Sequence, residues 1–134
     1  MNGYLLDACA LIALLNDESG AEYVDALLAG DAPVFMSAIN VLEVAYDAVR
    51  RSGRSETSQQ IVHLVSGEGI EIIWSLNEPE LMAAARWKAR GRLSLADAIA
   101  LAIAEVRGFR LVSADHHELD PLVAAGLVDV AWIR

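Results

Sequence analysis

Lysine occurs once in this chain, at Lys88, and cysteine once, at Cys9. A single cysteine excludes an intrachain disulfide and favours a reducing compartment, so the expected location is the cytoplasm. The sequence opens with no basic segment followed by an apolar run and a cleavage site, so no secretory signal is expected. Uncharged apolar runs such as Ala98–Ala104 fall far short of the ~20 residues of a membrane-spanning helix, and no membrane role is expected. There is also no linker, repeat or low-complexity stretch, which leaves residues 1–134 as one expected domain. Positive charge is scarce: 10 Lys and Arg stand against 19 Asp and Glu, for a net charge of −9. Taken alone, this opposes a nucleic-acid partner, because phosphate binding needs cations. The distribution opposes the total. Seven of the ten basic residues lie in two short patches, Arg50, Arg51 and Arg54, then Arg86, Lys88, Arg90 and Arg92.

What is present is a chain with 55% hydrophobic and 22% charged residues, enough to bury a sizeable core. "GYLLD", "APVFMS", "IEIIW", "FRLVS" and "VDVAWI" read as strands. "ALIALLND", "GAEYVDALLAG", "INVLEVAYDAVRRSG", "RSETSQQIVHLVSG", "NEPELMAAARWKARG" and "SLADAIALAIAEVRG" have helical length and spacing, and "ELDPLVAAG" reads as a short helical turn. Asn77 is the N-cap candidate of its helix, with Pro79 in the first turn, and Ser94 opens the next. Strands alternating with helices predict an α/β fold with a mostly parallel sheet covered on both faces. Ligands of such sheets bind outside the carboxyl ends of the strands.

That edge is where the isolated acids fall. Asp7 is the one charge in "YLLDACALIALL", and an ionised carboxylate in apolar surroundings is costly unless something pairs with it. Asp115 follows "RLVS" closely. Glu43 lies in the early turns of the helix after the second strand, and Asp97 in the first turn of its helix. Each acid has an ordinary reading. Asp7 fits an N-cap, and Ser94 with Asp97 has the spacing of a capping box. Glu43 shares a stripe with Asn40, Asp47, Arg50 and Arg54 that resembles a solvated helix face, and Asp115 fits a turn. The joint pattern asks for more. Asp97 is the only charge between Ser94 and Ala104, in a helix apolar on nearly all sides. Carboxylates gathered at one edge repel, and no lysine stands nearby. A hard divalent cation, Mg²⁺ or Mn²⁺, removes the repulsion. Such a cation activates water and stabilises charge on a phosphate under in-line attack, so phosphodiester hydrolysis is the expected chemistry.

The segments "LLDACALIALL", "SAINVLEV", "LSLADAIALA" and "LVSAD" together resemble a PIN-domain ribonuclease, specifically the VapC-type toxin of a VapBC toxin–antitoxin pair. The resemblance spans essentially the whole chain. It implies a three-layer α/β/α domain, an acidic pocket for Mg²⁺ or Mn²⁺, endonucleolytic cleavage of RNA, a homodimer and a VapB-like antitoxin partner. High apolar content in so small a chain agrees with more buried surface than one protomer supplies. The acidic set of the family falls on Asp7, Glu43, Asp97 and Asp115, as metal ligands and catalytic groups. Ser113 takes the place of a supporting hydroxyl. Cys9 departs from the pattern, since Ser, Thr or Asn often stands there, and a thiol is a weaker hydrogen-bonding group that changes how Asp7 is oriented. With no base beside it, Cys9 is not expected to act as a nucleophile.

Arg86, Lys88, Arg90 and Arg92 complement a helix C-terminus, but four cations in seven residues exceed that need. They are expected to guide RNA toward the acids, and the Arg50–Arg54 patch to face a protein partner. His116 and His117 read as solvated loop residues, with contact to substrate or metal as the alternative. His63 is expected to pack or face water. Two competing folds bind Mg²⁺ in acidic pockets. A receiver-like signalling domain needs a lysine at a late strand end and paired acids after the first strand. A haloacid-dehalogenase-like phosphatase needs an Asp two residues after the first. Neither pattern is present. A catalytically silent PIN fold used as a binding module is the third alternative.

Overall fold

The computed structural model describes residues 1–134. Five short strands, β1 (Gly3–Leu6), β2 (Val34–Ser37), β3 (Ile70–Ile73), β4 (Phe109–Ser113) and β5 (Val130–Trp132), form one sheet in the order β3-β2-β1-β4-β5. Every pairing is parallel, so the expected mostly parallel sheet is wholly so. The helices are α1 (Ala8–Leu15), α2 (Ala21–Ala29), α3 (Ala38–Ser52), α4 (Thr57–Gly67), α5 (Glu78–Ala89), α6 (Leu95–Arg107) and α7 (His116–Ala124).

Strand alternation divides the apolar residues between two cores. Leu5 and Leu111, partners in the β1–β4 register, face a core with α5, α6 and α7. Leu6 and Val112, the next pair along, face a second core with α1 to α4. Both faces of the sheet are therefore covered, which is why the strands read as apolar runs. The result is the three-layer α/β/α arrangement.

The winding locates the site. From β1 the chain steps outward to β2 and β3, with α1 to α4 on one face. It then returns, places β4 on the other side of β1 and steps outward to β5, with α5 to α7 on the opposite face. The segments leaving β1 and β4 diverge to opposite faces and open a crevice at the carboxyl ends of these two strands. A receiver-type sheet runs in the order 2-1-3-4-5, so this order excludes that alternative. Lys88, which such a domain would need at a strand end, is instead on α5, where its Nζ donates to the Leu93 carbonyl at 2.6 Å.

Two local features hold the frame of the site. Gly20 has φ +98°, and a Cβ there would lie 2.7 Å from the Ile133 carbonyl oxygen, so only glycine lets α2 begin against the C-terminal strand. Glu80 is fully buried at the start of α5, where it closes a capping box with Asn77. It also accepts two hydrogen bonds from the Arg107 guanidinium, at 2.8 and 3.1 Å. That fork ties the N-terminus of α5 to the end of α6, and a charged residue is buried at no unpaired cost.

Candidate active site

Asp7 follows the last residue of β1, and its N–H donates to the Val112 carbonyl on β4 at 3.1 Å. Its backbone is extended, which turns the carboxylate back over the first turn of α1. Oδ1 accepts from the Ala10 N–H at 3.0 Å and from the Cys9 thiol at 3.0 Å. The N-cap reading of Asp7 is therefore realised, with the carboxylate 4% exposed. Burial raises its pKa, hydrogen bonds from Cys9, Ser113 and Ala10 pull against that, and the charge of Asp115 adds to the rise.

Cys9 serves here as both donor and acceptor. Its thiol donates to Asp7, its sulfur accepts the Ala114 N–H at 3.3 Å, and Ser113 Oγ lies 3.6 Å away. Burial, and then the charge of Asp7, push the thiol up to about 12, so it stays neutral and is no nucleophile. Ser113 is completely buried and accepts the Asp115 N–H at 2.9 Å, so one hydroxyl steadies two of the acids.

Asp97 reaches the same crevice from α6. Ser94 caps the helix, its Oγ accepting the Asp97 N–H at 3.1 Å. A closed capping box would return the Asp97 carboxylate to the Ser94 N–H. Here Glu118 Oε2, from α7, accepts that N–H at 3.5 Å, and the Asp97 carboxylate is left free to meet Glu118 and Asp115. Ligand oxygens of Asp97, Asp115 and Glu118 all lie within 4.8 Å of one another. Burial pushes the Asp97 pKa to about 8, helped by its hydrogen bond with Glu118 and by the charges of Glu118 and Asp7. Asp115 in turn caps α7, its Oδ1 accepting the Glu118 N–H at 3.3 Å.

The donor set is chemically coherent. Three hard oxygen ligands crowd together, one of them holds its proton to about pH 8, and no Lys, Arg or His pairs with any of the three. A divalent cation of the Mg²⁺ or Mn²⁺ class suits such a cluster.

Of the four acids expected from the sequence, Asp97 and Asp115 belong to the cluster, and Asp7 is close enough for its charge to act on both. Glu43 stands apart from that trio. It is exposed on α3, with Oε1 accepting from the Asn40 side chain at 2.8 Å, and it has no hydrogen bond to the other acids. The sequence reads as a short turn beginning at Glu118, which leaves Glu118 out of the expected acidic set. The helix begins at His116, which places Glu118 in its first turn. The signal was present: Asp115 and Glu118 have N-cap to N3 spacing, the same spacing used for Ser94 and Asp97.

The basic residues divide. Arg86 is paired with Glu105 at 2.8 Å and Lys88 is held by Leu93. Arg90 lies over the Trp87 ring, 5.7 Å from its centroid, and Arg92 extends from a left-handed backbone with φ +65°. Arg90 and Arg92 line a cleft of about 660 Å³ that also includes His117 and Glu118. In the other patch, Arg50 and Arg51 pair with Asp47, and Arg54 with Glu56. His116 is not a free loop residue. It stacks on Trp132 with centroids 3.8 Å apart, and its two nitrogens bond Asp120 and the Arg134 carbonyl, at 2.9 and 2.8 Å. These acceptors, the carbonyl first, raise its pKa. His63 faces solvent.

A search of the curated proteins by sequence finds no match. By structure, the chain is similar to the VapBC2 complex of Rickettsia felis bound to a promoter DNA fragment, with a TM-score of 0.73 at 17% identity over 96% of this chain and 97% of that one. It is similar to VapC20 of Mycobacterium tuberculosis, described as a toxin cleaving the sarcin-ricin loop, with a TM-score of 0.70 at 20% identity over 96% and 98%. A toxin–antitoxin complex from Klebsiella pneumoniae gives a TM-score of 0.69 at 23% identity over 87% and 90%. Residues 4–120 match the family model of the PIN domain, and the chain belongs to that family.

Proposed function

We propose that this protein is a metal-dependent endoribonuclease, the VapC-type toxin of a VapBC-type pair, acting in the cytoplasm. The observation that carries the reading is the convergence of Asp7, Asp97, Asp115 and Glu118 on the β1–β4 crevice without a cationic partner. Asp97, Asp115 and Glu118 would hold Mg²⁺ or Mn²⁺, with Asp7 beside them. When bound, the cation lowers the pKa of water and offsets charge on the scissile phosphate.

The chain's own residues do the rest. Cys9, Ala10 and Ser113 fix the Asp7 carboxylate, and Ser113 fixes the backbone of Asp115. Once ionised, the Asp97–Glu118 pair would be the base that takes the proton of an attacking water. Arg90 and Arg92, which have no carboxylate partner, give the RNA backbone a local counter-charge in an acidic protein.

A VapB-like antitoxin and a second copy of the chain are the proposed protein partners. An outward stripe on α3, Ile39, Leu42 and Tyr46, has the 3–4 spacing of a helix-pairing seam, and Leu42 and Tyr46 are 61% and 62% exposed. Solved neighbours described as toxin–antitoxin complexes agree with an antitoxin.

The deciding experiment is cleavage of structured RNA by the purified protein with Mn²⁺, with Mg²⁺ and with EDTA, beside Asp7→Asn and Asp97→Asn. Metal-dependent cutting that both variants lose while staying folded upholds the reading. Cutting by both variants at the wild-type rate overturns it, and RNA binding without cleavage under any condition identifies a silent binding module.

A further inference from the structure

We infer that the cleft between the α5–α6 turn and α7 is a subsite for one nucleotide of the RNA, beside the scissile phosphate, with Arg90 and Arg92 as its phosphate-binding groups. This rests on the nuclease reading above and narrows the RNA path expected from the sequence, because Arg86 and Lys88 fall outside it.

Positive charge in this chain is almost all paired. Seven of the nine arginines lie in ion pairs with carboxylates, and the one lysine is bonded to a backbone carbonyl. Arg90 and Arg92 have neither kind of partner. In a chain of net charge −9, arginines meet carboxylates easily, so two left without one are conspicuous. Both line the same cleft, and Glu118 of the carboxylate cluster is in its wall. Arg90 is steadied over the face of Trp87, a contact that orients a guanidinium without neutralising it. Arg92 occupies a left-handed backbone station that glycine or asparagine fills at lower cost, so its side chain, not its backbone, accounts for it there.

The shape of the cleft agrees with a nucleotide. Its volume of about 660 Å³ exceeds a single side chain, and Leu93, Pro121, Leu122 and Leu127 give it an apolar floor. An apolar surface beside two guanidinium forks suits a nucleobase joined to a phosphate, since guanidinium binds phosphate oxygens bidentately. An acidic peptide would gain from the arginines as well, but its carboxylate side chains would leave the apolar surface beside them unused.

The test is binding, not turnover. A fluorescein-labelled single-stranded RNA oligonucleotide is titrated into the full chain in EDTA and followed by anisotropy at several salt concentrations. Arg90→Ala and Arg92→Ala should each weaken binding about 5- to 10-fold and lower the slope of log Kd against log salt by roughly 0.7, the value for one single-strand phosphate contact. Arg86→Ala and Lys88→Ala should stay within about twofold of wild type. Arg92→Gly should bind as weakly as Arg92→Ala while melting no lower than wild type, because glycine relaxes the left-handed backbone. Equal losses in all four alanine variants, or none in any, overturn the assignment. So does an acidic peptide that competes with the RNA at equal concentration. Selective loss in the Arg90 and Arg92 variants, in a protein that never cleaves RNA, upholds the subsite and rejects the nuclease. Metal-dependent cleavage with unchanged Arg90 and Arg92 variants does the reverse.

Discussion

Asp97 and Glu118 hold their carboxylates against each other across the junction of α6 and α7, and Glu118 takes the Ser94 N–H that Asp97 would otherwise cap. The relationship links local helix chemistry to the site. A carboxylate that closed its own capping box would be structural. One displaced from the box by a second acid is held in the crevice with a shared proton.

Without metal, that arrangement costs stability. The folded pKa of Asp97, about 8, lies above the ordinary 3.8, so between these values the folded chain binds more protons than the unfolded one. The apo protein should therefore gain stability as pH falls from about 8 toward 4, until other carboxylates lose their native hydrogen bonds. Asp97→Asn keeps a similar volume without the need to take up a proton on folding, and it should melt higher than wild type in EDTA at pH 7. The expected gain is about 1 kcal/mol, kept small because Asp97 is only partly buried and solvent screens it. A clear loss of stability in the variant would mean that the charge of Asp97 supports the fold.

Metal binding should release a proton. At pH 7 the apo Asp97 carboxyl is mostly protonated, and a cation needs it ionised. Calorimetric titration of Mn²⁺ in two buffers of different ionisation enthalpy should report release of close to one proton at pH 7, falling toward zero above pH 9. Mn²⁺ should also raise the melting temperature of wild type and do so far less for Glu118→Gln. Release that does not change with pH would place the metal away from the Asp97–Glu118 pair.

The fold was legible because its signals are local and strong. Apolar runs beside helical spacing placed all five strands and nearly every helix, and Asp97 as the lone charge in an apolar helix pointed to the pocket. The order of the strands came only from the structure, since sequence periodicity does not say which side of β1 receives β4. Glu118 stayed hidden for a similar reason. Its neighbours in "SADHHELD" look like a turn until the Asp115 cap is seen to start a helix there. Glu43, which the resemblance groups with three other acids, is exposed on α3 and bonded to Asn40. The four basic residues of one segment look alike in sequence, and only their partners separate Arg86 and Lys88 from Arg90 and Arg92.

The buried fork between Glu80 and Arg107 should be the most sensitive polar contact in the fold. Glu80→Ala removes two charge-assisted hydrogen bonds and half of a capping box, and it leaves the Arg107 guanidinium without its partner. The expected loss is on the order of 2–3 kcal/mol in urea denaturation. Arg107→Ala should cost at least as much, because it leaves a fully buried carboxylate. The double variant should cost less than the sum of the two. Additive losses would show that the fork is not the stabilising unit.

Cys9 offers a test of how Asp7 is held. The thiol links β1 to the loop after β4 by donating to Asp7 Oδ1 and accepting from the Ala114 N–H. Serine can make both bonds, so Cys9→Ser should keep RNA cleavage within a few-fold of wild type. Alanine can make neither. Cys9→Ala leaves a part-buried N–H without its acceptor and a buried carboxylate with one donor fewer, at a cost of about 1–2 kcal/mol. It should also lower turnover more than it weakens RNA binding, since Asp7 is misdirected and Arg90 and Arg92 are untouched. A thiol pushed up to about 12 should react with Ellman's reagent at pH 8 on the order of 100-fold more slowly in the folded protein than in denaturant. If alanine preserves both cleavage and stability, Asp7 is fixed by Ala10 and Ser113 alone and the thiol is only filling space. If serine fails where alanine succeeds, the site requires an apolar group at position 9, and the claim that sulfur substitutes for a hydroxyl is wrong.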